Sequence, residues 1–596
     1  MARYLDSGLG KTCIQDLLLM KKALLTMLAA GMVATGCDKD NIIWTNNSGS
    51  EESGVNGSTT TEVTSDDEDQ IDGTTFVRTI TVTFSDAGAT VEGDEKGVVS
   101  IDGNSVTVNN TKTEEKVKYI LKGSTSNGFF KVYSNNKQAF VLDGVSITNP
   151  SGAAINNQGK KRCFVILNGT NYLADGATYS ETDNEDQKAA FFSEGQLIFS
   201  GDGSLEVSAK GKSGITSDDY IHVMDAPTLK VTSSAGHGIR GKDAITVDGG
   251  DIQVTVSANM KKGMTSDSLV VFNGGKTVIN VSGGTAYDDE EKEYKASSGV
   301  KADHTFVMNG GELTVTNSGQ GGKGISGDGN GYFQGGKVSV SVTGSNYGSS
   351  SSGGGGWRPG GGPGGGGPGG GGSGSSNTNS TSAKGIKFDG NIYISAGDIS
   401  ATSENHEAIE AKGVINITGG TVFTRSSDDA INSGGDMVIK DGHVCAYSTG
   451  NDGLDANGNL YIEGGVVYAI GARSPEVAID ANSEQQKKLY VSGGVLFTIG
   501  GLEQGSQLSQ SCYQASSWSK NTWYALTVDD TTYCFKTPSS GGTALVVSGP
   551  SKPSLKSGVT PTEGTEEFDG MAIFDATADG GSSVSLSSYS SGGGWW

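Results

Sequence analysis

Cysteine, proline and basic side chains are all scarce in this chain. Six cysteines among 596 residues exclude a disulfide framework as the source of the fold, and leave Cys512 and Cys534 either to pair in an oxidising compartment or to stand as two buried thiols. Ten prolines beside 95 glycines, with no Gly-X-Y period, exclude collagen. Lys and Arg total 43 against 67 Asp and Glu, a formal net charge of −24. Such a chain repels nucleic acid, whose phosphates need Lys/Arg neutralisation. After Cys37 no apolar run is long enough to cross a bilayer as a helix. With 34% hydrophobic residues the chain is poor in core material for several compact domains, yet too long for one ordinary core. What it has in abundance is turns. Glycines punctuate short Val/Ile-rich runs, the pattern of an all-β, repetitive chain.

The N-terminus reads as an address. From Met20, two lysines precede a short apolar stretch that ends in Ala34-Thr35-Gly36-Cys37. The stretch is too short for a permanent membrane helix and has the layout of a signal peptide; the alternative is a buried amphipathic helix. The last four residues resemble a bacterial lipobox, which implies lipidation of Cys37 as the first mature residue, with Met20 the true start. Residues 1–36 are then a leader. Residues 37–72, rich in Asp, Glu, Ser, Thr and Gly, read as a disordered tether. Membrane contact is expected only through the lipid on Cys37, at the cell envelope.

A two-residue signature recurs at Gly214-Ile215, Gly238-Ile239, Gly263-Met264, Gly299-Val300, Gly324-Ile325, Gly385-Ile386, Ala408-Ile409, Ala430-Ile431, Gly453-Leu454 and Ala478-Ile479. Most spacings are about 22 to 25 residues, a solenoid period. A glycine turn keeps step with it, as in Gly249-Gly250, Gly274-Gly275, Gly310-Gly311 and Gly464-Gly465. Each unit carries two or three short alternating strands, such as Ile252 to Val256, that cannot bury their apolar face alone and must stack. Propeller blades need about 40 residues and leucine-rich repeats a Leu/Asn consensus that is absent. The period therefore predicts a right-handed parallel β-helix over residues 73–501, of about 14 or 15 coils and on the order of 70 Å at about 4.8 Å per coil. Departures from the period mark insertions: a charged loop from Tyr287 to Lys295, and a Gly/Ser/Pro tract over 345–381 around Trp357, read as a disordered loop. Residues 502–596 are expected to cap the open C-terminal edge.

Aligning the late coils on Ile409, Ile431, Leu454 and Ile479 stacks acids. Two positions before the anchors stand Glu407, Asp429 and Asp452; one position after them stand Glu410, Asn432, Asp455 and Asp480. Asp428 and Asn451 lie three before theirs. Like charges on adjacent strands repel, so such a ladder asks for a cation, and hard oxygen ligands select calcium; the alternative is solvated turn acids that splay apart. A second acid column, Asp218, Asp267, Asp303, Asp328 and Asp389, fits ordinary Asx turns. Arg240, Lys242, Lys262, Lys301, Lys323 and Lys387 on the same coils either neutralise the acids or meet uronate carboxylates. Further along each late coil, Phe423, Cys445, Tyr468 and Phe497, with Tyr447 beside them, form an outward stripe. It is either a platform for sugar rings or a patch that residues 502–596 fold over.

The early coils carry more specific wording. Val141-Leu142-Asp143-Gly144-Val145-Ser146-Ile147-Thr148-Asn149, Gly152-Ala153-Ala154-Ile155, Leu167-Asn168-Gly169-Thr170-Asn171-Tyr172-Leu173 and Gly201-Asp202-Gly203-Ser204-Leu205-Glu206-Val207 resemble the carbohydrate-binding, calcium-containing parallel β-helix proteins of bacterial surfaces. The likeness extends over about residues 75–500. It implies a polysaccharide-binding fold shaped like pectate lyases and without catalysis, for acidic (pectic) or cellulosic glycans, and assigns no binding residue. A lyase is the alternative from another class. β-Elimination needs a base beside a calcium-held uronate, for which Lys387, Lys412 and Lys440 are candidates. A structural adhesin or spacer without saccharide affinity is the third reading.

Overall fold

A computed structural model describes residues 44–45, 61–63, 66–180, 185–348 and 380–590. The leader, Cys37 and most of the 345–381 tract, with Trp357, lie outside the described residues. The chain is all-β, with three short 3-10 turns as its helical content among those residues. None is long and apolar enough to cross a membrane.

The repeat folds as a parallel β-solenoid of about 14 coils. A typical coil has three strands, Ile239–Gly241, Ala244–Val247 and Asp251–Val256, each paired in parallel with its counterpart one coil on. The recurrent Ile, Leu, Met or Val of the signature points inward. Ile239, Met264, Val300, Ile325, Ile386, Ile409, Ile431, Leu454 and Ile479 stack in one register and are buried. The other two faces contribute parallel columns, such as Leu229–Ile252 and Ile221–Ile245. One continuous core results, as stacking of non-autonomous units requires.

The signature glycine has a packing reason. A Cβ on Gly263 would run into the Ile279 side chain of the same coil and the Gly299 carbonyl of the next. The turn doublet has a backbone reason, because its second glycine sits at positive φ, 72° at Gly275, where a side chain is disfavoured.

Both sheet edges are covered. At the N-terminal edge Arg78–Phe84 carries the antiparallel Thr90–Glu92, and Val99–Asp102 folds antiparallel on Ser105–Asn110. At the other end Leu545–Ser548 pairs antiparallel with Val495–Ile499 of the last coil, which removes the row of open backbone groups. Four further strands, Trp523–Val528, Thr531–Lys536, Ser554–Glu567 and Ala572–Ser583, close into a small barrel. Cys512 and Cys534 are separate buried thiols and do not pair.

The tether ends earlier than its composition predicts. Residues 66–72 were expected to be solvated, yet Asp67–Asp69 and Ile71–Gly73 form 3-10 turns on the early coils. The reason is charge. Asp69, 2% exposed, lies 2.7 Å from the fully buried Arg162 guanidinium and accepts from the Tyr220 hydroxyl at 2.5 Å. His222 completes the grip, with Nδ1 2.7 Å from Asp69 and Nε2 2.7 Å from Asp248.

Candidate functional site

The outer face of the 15-stranded sheet carries a long column of charged side chains. Because each anchor side chain points inward, the residue one position after it points out. In register these are Arg240, Thr265, Lys301, Ser326, Lys387, Glu410, Asn432, Asp455 and Asp480. The face is cationic on the earlier coils and anionic on the later ones. The change of sign falls at Lys384, whose Nζ reaches Glu407 at 3.1 Å and Glu410 at 2.6 Å.

The nine ladder residues divide into two groups. Glu407, Glu410 and Asp428 have a basic side chain within reach. Lys384 serves the two glutamates, and His406 contacts both Glu407 and Asp428. Burial pushes the Glu407 carboxyl up, but the His406 hydrogen bond and the Lys384 charge outweigh it and hold it at about 2. Asn451 belongs with this group, donating to Asp428 at 3.0 Å.

Asp429, Asp452, Asp455 and Asp480 have no basic side chain within ion-pair reach among the described residues. Asn432 links two of them, donating to Asp429 at 3.1 Å and to Asp455 at 2.6 Å. Asp452 accepts the Val477 N–H at 2.6 Å. Oxygens of Asp452, Asp455 and Asp480 lie within 4.8 Å of one another. Burial first, then the neighbouring carboxylate Asp455, pushes Asp429 up to about 8. Burial raises Asp452 to about 7 and Asp455 to about 6. Burial and the adjacent Glu503 also raise Asp480. Carboxylates crowded together and withdrawn from water resist ionisation, and a divalent cation would relieve that. The donor set is entirely oxygen, which fits calcium and not zinc.

The candidate bases fall out differently. Lys387 and Lys412 both bind Asp389, and that contact raises the Lys412 ammonium above its ordinary range, away from what a base needs. Lys440 is exposed in the Met437–Ser448 strand, which belongs to another sheet. The second acid column is largely paired: Asp267 with Arg240 at 2.7 Å, Asp303 and Asp328 with Lys301 at 2.6 and 3.0 Å, and Asp218 with Lys188 at 2.5 Å.

The aromatic stripe is no sugar platform. Phe423, Cys445, Tyr468 and Phe497 do stack in register on one column. However, Phe423, Tyr447, Tyr468 and Phe497 are buried against Tyr524, Phe535 and Phe574 of the C-terminal barrel. The Tyr468 hydroxyl donates to the Lys536 carbonyl at 2.8 Å. Covering so large an apolar patch is what stabilises the docked barrel. Sequence reading missed a different aromatic column. Tyr332 stacks on Tyr393 with ring centres 5.1 Å apart, and Tyr461 on Tyr490 at 4.9 Å. Tyr332, Tyr461 and Tyr490 are half-buried. The signal was available, since each pair occupies equivalent strand positions on successive coils, with Asn416 and Val438 in the column between the two pairs.

Comparison with known proteins finds its sequence match on the early coils. Residues 102–267 match a family model described as carbohydrate-binding domain-containing protein. The chain is similar to a carbohydrate-binding domain-containing protein of Acetivibrio thermocellus, 29% identical over 135 residues, which are 22% of this chain and 47% of the relative. The match thus spans about half the length of that curated relative. Among solved structures, the polysaccharide lyase-like protein from C. thermocellum aligns at a TM-score of 0.35 and 21% identity, over 42% of this chain and 95% of the other.

Proposed function

We propose that this chain is a polysaccharide-binding protein of the cell envelope, lipid-anchored at Cys37 and assisted by calcium, for acidic (pectic) or cellulosic glycans. The observation that carries the reading is the outer face of the long sheet. It is a rigid, strongly charged surface repeated coil by coil, in a chain whose residues 102–267 match a carbohydrate-binding family model. Rigid elements hold binding groups better than loops do.

Asp452, Asp455 and Asp480 would hold the calcium, with Asp429 and Asn432 alongside. A bound calcium would neutralise these carboxylates and could also take saccharide oxygens as ligands. Glu407, Glu410 and Asp428 act one step away, by holding Lys384 and His406, and Asn451 by donating to Asp428. The geometry favours binding over β-elimination, because Lys387 and Lys412 share Asp389 and Lys440 lies on another sheet.

The test is electrophoresis of the mature, unlipidated protein through gels with and without polygalacturonate, in calcium and then in chelator. Retardation that chelator weakens is the expected result. A rise in absorbance from unsaturated products would move the chain to the lyases. No retardation in either condition removes the pectic ligand and favours a neutral glucan or a spacer.

A further inference from the structure

On the cationic half of the same face lies a groove of about 430 Å³, lined by Arg240, Lys262, Lys295, Lys301, Lys323 and Lys387 together with the acids Asp267, Glu291, Glu293, Asp303 and Asp328. Four of these cations are matched. Arg240 has Asp267, Lys295 has Asp288 and Glu291, Lys301 has Asp303 and Asp328, and Lys387 has Asp389.

Lys262 and Lys323 differ. Among the described residues neither has a carboxylate within ion-pair reach, and both ammonium groups meet only backbone carbonyls. Lys262 Nζ donates to Met260 at 2.8 Å; Lys323 Nζ donates to Gly321 at 3.4 Å and to Ser382. The 349–379 segment, between the coil of Lys323 and the next, contains no Asp or Glu and brings no counter-charge.

The two lysines share one column. Lys262 is in register with Ser298, and Ser298 with Lys323, so their backbones stand two strand spacings apart, roughly 10 Å. The residue between them is small, and its hydroxyl is turned to Ser326 at 2.9 Å. Lys262, Ser298 and Lys323 all line the groove. Lys384, next in the column, closes the set, because Glu407 and Glu410 hold it. Withdrawing unpaired cations from water is costly. Burial, then the charge of Lys301, pushes Lys262 down to about 8; burial, then Lys384, pushes Lys323 down to about 7. A ligand that carries negative charge to this pair offsets that cost.

We propose that this groove is an anion subsite for a charged saccharide, receiving a carboxylate or sulfate ester between Lys262 and Lys323. It rests on the polysaccharide-binding reading, chooses the charged ligand over the neutral one, and adds the two residues that read it. It is separate from the acid ladder, so it works without calcium.

The test compares the wild type, Lys262→Gln/Lys323→Gln and the control Lys230→Gln, an exposed lysine of the Thr228–Ser233 strand. Each is titrated in chelator with polygalacturonate, dextran sulfate and uncharged dextran, and each is melted. The wild type and control are expected to bind a charged chain at least tenfold tighter than dextran. The double variant is expected to lose that preference while melting no lower, since it removes two unpaired cations. Preference for polygalacturonate assigns the carboxylate, and preference for dextran sulfate the sulfate ester. A double variant that keeps wild-type affinity for charged chains overturns the subsite. Equal binding of charged and uncharged chains by the wild type overturns it while leaving the polysaccharide reading intact. Binding of no glycan overturns both.

Discussion

Raising the pH through the range in which His222 loses its proton should loosen the N-terminal strap from the early coils. Burial pushes this imidazole down, but hydrogen bonds to Asp248 and Asp69 outweigh it and raise the group from 6.5 to about 9. At 1.36 kcal/mol per unit, that difference is about 3 kcal/mol of stability. The folded-state pKa lies above the unfolded one. The contribution is therefore complete below 6.5, falls as pH rises, and is gone above about 9. Nothing near the ring replaces it, because neutral imidazole can donate from only one nitrogen and would leave Asp69 or Asp248 facing a lone pair. Urea unfolding of the wild type and His222→Gln at pH 6, 7.5 and 9.5 separates the His222 contribution from other groups that titrate. The wild-type advantage should shrink by about 3 kcal/mol across that window. Amide exchange at residues 67–73 should quicken over the same range. A difference between the two proteins that stays constant with pH, or grows, would refute the reasoning.

Three further outcomes follow from packing and charge. Calcium at 100 times its dissociation constant should stabilise the protein by about 2.7 kcal/mol, seen as a higher melting temperature that chelator reverses; Asp455→Asn should abolish most of the gain. Thr277 occupies an inward position between Ile252 and Leu313, fully buried, with its hydroxyl unsatisfied. Thr277→Val should therefore stabilise by about 1 kcal/mol in denaturant unfolding. Phe497 is buried between the last coil and Phe535; Phe497→Ala should cost about 3–5 kcal/mol and make the C-terminal barrel more sensitive to protease.

The solenoid was legible because its register is over-determined. The inward anchor and the turn glycine hold one phase, and a slip of one residue would turn every core side chain outward. The same phase correctly stacked Glu410, Asn432, Asp455 and Asp480. It could not show that part of the ladder has basic side chains within reach. Lys384 looks like every other lysine on these coils, and its hold on Glu407 and Glu410 depends on where side chains reach. For the same reason Lys262 and Lys323 read like their paired neighbours. The strap was misread because residues 66–72 are acidic and look solvated, while the Arg162 that binds Asp69 lies on a distant coil. The outward aromatic stripe was placed correctly, but its cover comes from Tyr524, Phe535 and Phe574, outside the repeat.

The central claim is that this face of the solenoid binds polysaccharide. Probing an array of immobilised pectic, sulfated and neutral glycans with the folded, unlipidated chain, in calcium and in chelator, tests it most directly. Retention on a charged class, weakened by Lys262→Gln/Lys323→Gln or by chelator, is the predicted result. A folded protein that no glycan retains in either buffer would contradict it.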